Sequence, residues 1–161
     1  MAHELIKLLE NFSLNLDDVG AIVLTSSGTR TFCGGGDLKE REGMSDTDWI
    51  LQHLVYERMV RAVLACPIPT IGAINGAAYG GGCELVSALD FCFATETAKF
   101  AQTDLKIVII LGTGGTQTLL RTIRKRRAKE LILTGKPFTA AQALNWGLSN
   151  DIFRWIAYFQ Q

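Results

Sequence analysis

The sequence predicts an α/β fold with parallel or spiral connections, and three observations predict it. Short apolar, β-branched runs alternate with stretches of helical periodicity, the pattern of strands joined through helices rather than hairpins. Three glycine clusters, Gly34-Gly35-Gly36, Gly80-Gly81-Gly82 and Gly112-Thr113-Gly114-Gly115, each stand where a strand pattern gives way to a helical one. The length, 161 residues, suits one domain able to bury roughly 70% of its unfolded surface. One glycine cluster is ordinary turn chemistry; three at equivalent places point to a shared site.

Along the chain, residues 2–12 set Leu5, Leu8, Leu9 and Phe12 on one helical face. A turn over 15–20 leads to a short buried strand at 21–25, then a loop at 26–30. Thr31-Phe32-Cys33 enters the first glycine triplet, which precedes a helix. Residues 45–65 read as a long helix, capped by Ser45 or Asp46 and striped by Ile50, Leu54, Met59 and Val63. Pro67 and Pro69 close it.

The run 70–74 is a buried strand, and the second triplet opens a helix that ends near Leu89. A short strand follows at 91–94, and 99–111 is apolar and extended. The third cluster precedes helical sequence from 116 to about 134. Thr139 caps a helix through Asn145, Gly147 ends it, and 148–153 forms a last strand. Residues 1–153 make up the core domain, and 154–161 are an aromatic tail without a place in it.

Composition excludes several function classes. Hydrophobic residues make up 48% of the chain and charged residues 20%, and acidic and basic side chains balance at 16 each. No global field draws nucleic acid or an anionic membrane. The basic run Arg124-Lys125-Arg126-Arg127 reads as a solvated helix face, with RNA or a phosphorylated ligand as its alternatives. Cys33, Cys66, Cys83 and Cys92 are widely spaced, and only His3 and His53 could join them, so the expectation is reduced thiols and no metal.

No apolar run approaches the ~18 residues of a spanning helix. No signal or transit peptide opens the chain, which places it in the cytoplasm, or in the mitochondrial matrix if a transit peptide is missing. None of the glycine clusters completes a dinucleotide or P-loop motif, and the serine-hydrolase elbow is absent. Cys83 sits where a nucleophile can be raised, but no histidine adjoins it, and packing is the stronger reading.

The second cluster carries the most chemistry. Glycine lets a backbone approach a ligand closely. The helix start beyond it points free N–H groups and partial positive charge outward. Glu84, in the first turn, is a carboxyl placed to move protons beside such an anion-holding site.

These residues also resemble a known family. Phe32-Cys33-Gly34-Gly35-Gly36-Asp37-Leu38-Lys39-Glu40 is similar to the F-C-A-G-A-D-L-K-E type motif of the enoyl-CoA hydratase/isomerase (crotonase) family. Residues 69–90 resemble its P-x-I-A-A-[IV]-x-G-x-A-x-G-G-G-x-E-L-x-x-x-x-D segment. Phe100 to Asp104 and Gly112 to Gln117 resemble two further blocks, and Ala128 through Leu148 follows the next helix pair.

The resemblance implies a crotonase-like (ClpP/crotonase) spiral of strand-strand-helix repeats, truncated at both ends and lacking the C-terminal helical region. It implies an enoyl-CoA hydratase adding water to an acyl-CoA thioester through an enolate, without a metal or separate cofactor. Gly36 and Gly81 match the oxyanion-hole amides. Glu84 and Asp104 match the catalytic carboxyls, Glu84 activating water and Asp104 donating a proton. Cys33, Gly34, Gly35, Asp37 and Leu38 match substrate-binding positions. An isomerase, or an acyl-CoA-binding protein without turnover, is the alternative, and trimer or hexamer assembly is the family expectation.

The chain departs from the pattern at three points in one loop. Asp104 replaces the usual glutamate and withdraws its carboxyl by roughly 1 Å, a misplacement that can cost about a hundredfold in rate. Leu111 replaces a proline, and Val108 stands where small residues are common, crowding the pocket if it faces inward.

Overall fold

Two sheets share the strands alternately. In the computed structural model, which describes residues 1–14 and 19–154, the order is α1 (Ala2–Leu14), β1 (Ile22–Leu24), β2 (Thr31–Cys33), α2 (Leu38–Arg41) and α3 (Asp46–Leu64). Then come β3 (Thr70–Ile74), β4 (Ala77–Tyr79), α4 (Gly81–Ala88), β5 (Phe91–Thr95), β6 (Lys99–Ala101) and a single 3₁₀ turn (Asp104–Ile107). The chain continues through α5 (Gly115–Thr122), α6 (Lys125–Thr134), β7 (Phe138–Thr139), α7 (Ala140–Trp146) and β8 (Asp151–Phe153).

One sheet has the order β1-β3-β5-β8, all parallel; the other has β2-β4-β6, parallel, with β7 antiparallel at its edge. The first three passes each lay one strand in each sheet and then return through helix. That is the spiral of strand-strand-helix repeats, and it requires parallel strands because each crossover runs through a helix.

The helix α4 lies at the centre. Every residue from Gly82 to Ala88 is buried, as expected of a helix enclosed on all sides. One face meets the core of Ile74, Phe100, Leu119 and Phe138; the other meets Ile6, Leu9, Met59, Val60 and Val63 from α1 and α3. Glu84 is thereby carried into the interior. Among the described residues, no helix is long and apolar enough to cross a membrane.

Several elements differ from expectation. On α1 the buried residues are Ala2, Ile6 and Leu9, while Leu8 faces solvent. On α3 the inward stripe runs through Tyr56, Met59, Val60 and Val63, and Ile50 and Leu54 are exposed. Met59 and Val63 of the expected stripe are buried against α1 and α4, and in the first half of the helix the inward face lies about one residue around from Ile50 and Leu54.

Strand β1 alternates: Ile22 and Leu24 pack against the core, and Val23, on the opposite face of this outer strand, is 60% exposed rather than buried. Strands β4 and β7 are short and lack β-branched runs, and they were not expected. The stretch 99–111 is extended only to Ala101 and then coils into the 3₁₀ turn. The helical sequence after the third cluster is two helices, broken at Arg124, whose φ is 70°. The predicted turn at 15–20 and tail at 154–161 fall mostly outside the described residues.

Candidate active site

Strands β2, β4 and β6 are parallel neighbours, so their carboxyl ends emerge side by side, where α/β sheets bind ligands. Each end delivers candidate residues. β2 leads into Gly34-Gly35-Gly36, β4 into Gly80-Gly81, and β6 through Gln102 and Thr103 into Asp104. A bond from Gly80 N–H to the Ala101 carbonyl, 2.9 Å, ties the second end to the third.

Glycine is required where the first two loops meet. Gly35 has φ +88°, and a Cβ there would stand 2.9 Å from Gly81 N. At Gly82 a Cβ would collide with the Cys33 carbonyl oxygen. The contact brings Gly36 and Gly81 to one locality. Gly81 opens α4, so its N–H has no helical acceptor. Among the described residues, neither Gly36 nor Gly81 donates its N–H to a carbonyl outside the regular elements.

A cavity of about 110 Å³ lies here. Cys33, Gly34, Gly35, Gly36 and Leu38 line it from the first loop, and Gly81, Glu84 and Asp104 from the other two ends. Asp37 is not among the lining residues; it caps α2, its carboxylate accepting from Lys39 N–H at 2.9 Å. The cap sets the angle at which α2 leaves the loop.

Glu84 is 2% exposed and held by the third glycine cluster. Its Oε1 accepts from Gly115 N–H at 2.8 Å and from Thr113 N–H at 3.2 Å. Its Oε2 accepts from the Thr113 hydroxyl at 2.6 Å. The cluster thus cradles a carboxylate of the protein itself, at the start of α5. Burial pushes the Glu84 carboxyl above its ordinary value, the Thr113 and Gly115 bonds pull it back, and the charge of Asp104 pushes it up further.

Asp104 is half-buried and contributes an oxygen, Oδ2, that is buried without a hydrogen-bond partner. Burial raises its carboxyl as well, and a bond from its own backbone N–H and the Arg41 guanidinium oppose the rise. The pair therefore divides into one carboxylate with donors on both oxygens and one carboxyl with a buried oxygen that none reaches among the described residues. Environments of this kind separate an acceptor of protons from a donor.

Val108 takes a left-handed conformation at the end of the 3₁₀ turn and is 92% exposed. It faces away from the cavity and does not crowd it; Leu111 packs inward. Cys83 is fully buried, and burial drives its thiol far up, leaving a packing residue rather than a nucleophile. In the basic run, Arg127 pairs with Glu130 at 2.6 Å and lies over the Trp146 ring.

Arg41, Trp49, His53, Tyr56 and Thr113 also line the wall and were not expected. Trp49, His53 and Tyr56 recur at helical spacing on α3, a signal open to sequence reading had the stripe been drawn one position around. The rings of Trp49 and His53 stack at 5.2 Å. Thr113 lies within the third cluster, but its role depends on where Glu84 comes to rest.

Comparison with known proteins adds an independent finding. The family model for Enoyl-CoA hydratase/isomerase matches residues 1–155. The chain is 40% identical over 153 residues to the putative enoyl-CoA hydratase/isomerase YngF of Bacillus subtilis, covering 94% of this chain and 58% of that one. It is 41% identical over 138 residues to the mitochondrial enoyl-CoA hydratase of Pongo abelii, covering 83% and 45%.

Among solved structures, an enoyl-CoA hydratase from Bacillus anthracis superposes with a TM-score of 0.91 at 38% identity, covering 95% of this chain and 59% of that one. Pseudomonas aeruginosa DspI gives a TM-score of 0.91 at 28% identity, covering 95% and 58%. The chain thus spans between 45% and 59% of these proteins' lengths.

Proposed function

The chain belongs to the enoyl-CoA hydratase/isomerase family, and from that premise we propose that it carries the core of an enzyme that hydrates the α,β-double bond of an acyl-CoA thioester. The observation that supports this most is the convergence of two free glycine amides and two unlike carboxyls on one small cavity.

In this reading the thioester oxygen sits against the Gly36 and Gly81 amides. Conjugation carries charge to that oxygen as a nucleophile attacks Cβ, and preorganised N–H groups stabilise it where it develops. The positive end of α4 adds to the hole. Loss of one such donor costs about 3 kcal/mol of transition-state stabilisation.

Glu84 takes the water. Its Oε1 is occupied by two amides, while Oε2 accepts only the Thr113 hydroxyl and keeps a lone pair for a water proton. As the enolate collapses, Asp104 delivers a proton to Cα. Its buried Oδ2, which no donor among the described residues reaches, and the burial that raises its carboxyl favour the protonated form that this task needs. The chemistry calls for no metal or redox cofactor. Association into a trimer or hexamer is part of the proposal on family grounds, and light scattering tests it.

Loss of the enone absorbance of crotonyl-CoA measures the reaction. Folded protein that consumes crotonyl-CoA, with Glu84→Gln inactive, supports the reading; no consumption, or equal consumption by Glu84→Gln, overturns it. Isomerisation of a 3-enoyl thioester in the same preparations, without hydration, would move the assignment to an isomerase. Calorimetric binding of butyryl-CoA without any turnover would leave an acyl-CoA-binding protein.

A further inference from the structure

The cavity wall contains a cation that the proposed hydration does not use. Arg41 ends α2 and is half-buried in the lining. Its guanidinium is held from three sides. Its Nε donates to Gln52 Oε1 at 3.0 Å, and it lies 5.9 Å and 6.0 Å from the Trp49 and Tyr56 ring centroids. Gln52 is itself within 3.5 Å of Glu40. These contacts fix the plane of the guanidinium and leave its terminal nitrogens available.

Arg41 forms no ion pair among the described residues, although Glu84 and Asp104 line the same cavity. Its Nη2 stands 3.0 Å from where a Cβ of Gly36 would be. It therefore sits beside one of the two amides assigned to the thioester oxygen. A guanidinium with a fixed plane and unpaired terminal N–H groups matches a carboxylate bidentately.

Resting on the acyl-CoA reading, we propose that Arg41 selects acyl groups that end in a carboxylate, so that the substrate class is the monothioester of a short unsaturated dicarboxylic acid. The location favours the acyl group over coenzyme A as the source of the anion. The phosphates lie at the far end of the pantetheine arm, whereas Arg41 adjoins the thioester site. Leu38, Trp49 and Met59 of the wall are apolar, and Arg41 is the only arginine or lysine among the described lining residues, so it decides between acyl chains of similar length.

Glutaryl-CoA and butyryl-CoA, both unreactive in hydration, separate recognition from turnover in a calorimetric titration. Glutaryl-CoA is expected to bind about ten- to a hundredfold more tightly, and Arg41→Met to erase that preference while leaving butyryl-CoA affinity nearly unchanged. Free coenzyme A serves as the third ligand. If Arg41→Met weakens coenzyme A as much as glutaryl-CoA, the anion is a phosphate and the proposal fails.

Equal binding of the two thioesters by the unmodified protein overturns this proposal alone. Absence of binding by either overturns the acyl-CoA reading with it. For a folded protein that turns over, glutaconyl-CoA against crotonyl-CoA gives the parallel measurement. A fall in the ratio of kcat/KM for glutaconyl-CoA over crotonyl-CoA in Arg41→Met supports selection. An equal drop for both, with a shifted pH profile, assigns Arg41 to the charge of Asp104 and overturns it.

Discussion

Replacing Glu84 by alanine and by glutamine separates the structural and chemical duties of its carboxyl. Alanine removes the acceptor of two amides and one hydroxyl. The hydroxyl can turn elsewhere, but the buried Gly115 N–H and the adjoining Thr113 N–H cannot. A buried donor without a partner costs about 1–3 kcal/mol. Relief from burying a carboxyl offsets part of two such losses, and a net destabilisation of about 2–4 kcal/mol follows.

Glutamine keeps Oε1 for both amides and presents an NH₂ group to the Thr113 hydroxyl, which can accept. Its cost should stay within about 1 kcal/mol. Hydration should nonetheless fall by about 10²–10⁴-fold through loss of the base. Urea unfolding followed by tryptophan fluorescence, with linear extrapolation at neutral pH, gives both stabilities. A glutamine variant as unstable as the alanine variant would refute the reasoning, because the cradle would then be holding charge rather than an acceptor.

Three further outcomes follow from the same geometry. Burial raises the folded Glu84 carboxyl above its unfolded value of 4.5, so its contribution to stability is largest below that value and is lost as pH rises through the folded one. Urea midpoints across pH 4.5 to 8 should show wild type losing stability relative to Glu84→Gln as pH increases; parallel curves would contradict this. Gly82→Ala should cost about 3 kcal/mol, because its Cβ meets the backbone carbonyl of Cys33 and no flexible side chain can yield; an unchanged urea midpoint would disprove the contact. Gln102 is fully buried, and neither of its amide atoms has a partner among the described residues, so Gln102→Met should stabilise by about 1 kcal/mol and raise Tm by about 3 °C in calorimetry, and a fall in Tm would mean that the amide is satisfied.

Much of the frame could be read from sequence because it obeys local rules. The glycine clusters mark strand-to-helix turns, Ser45 and Thr139 cap the helices that they precede, and Gly147 ends α7 with φ +86°. Those features depend on a residue and its immediate neighbours. The placement of Glu84 in the first turn of α4 is local in the same way.

The facing of the helices was not. Ile50 and Leu54 are apolar and helically spaced, yet they are exposed, because burial on α3 is decided by α1 and α4 rather than by its own periodicity. Strand β4 was invisible as Ala77-Ala78-Tyr79, since its stability comes from pairing with β2 and β6 on either side. Val108 could be placed on neither face until the 3₁₀ turn set its direction.

For the candidate site, the sequence by itself determined which residue types stand at the turns: glycines able to bring backbones together, and Glu84 at a helix start. Tertiary structure alone decided what those turns do for one another. The parallel pairing of β2, β4 and β6 aligns three loops separated by many tens of residues. The burial of α4 then turns Glu84 toward Thr113 and Gly115, and the packing of α2 against α3 brings Arg41 to the cavity. Local conformation is set by bonds and sterics along the chain; convergence is set by which surfaces bury one another, and that is a property of the whole fold.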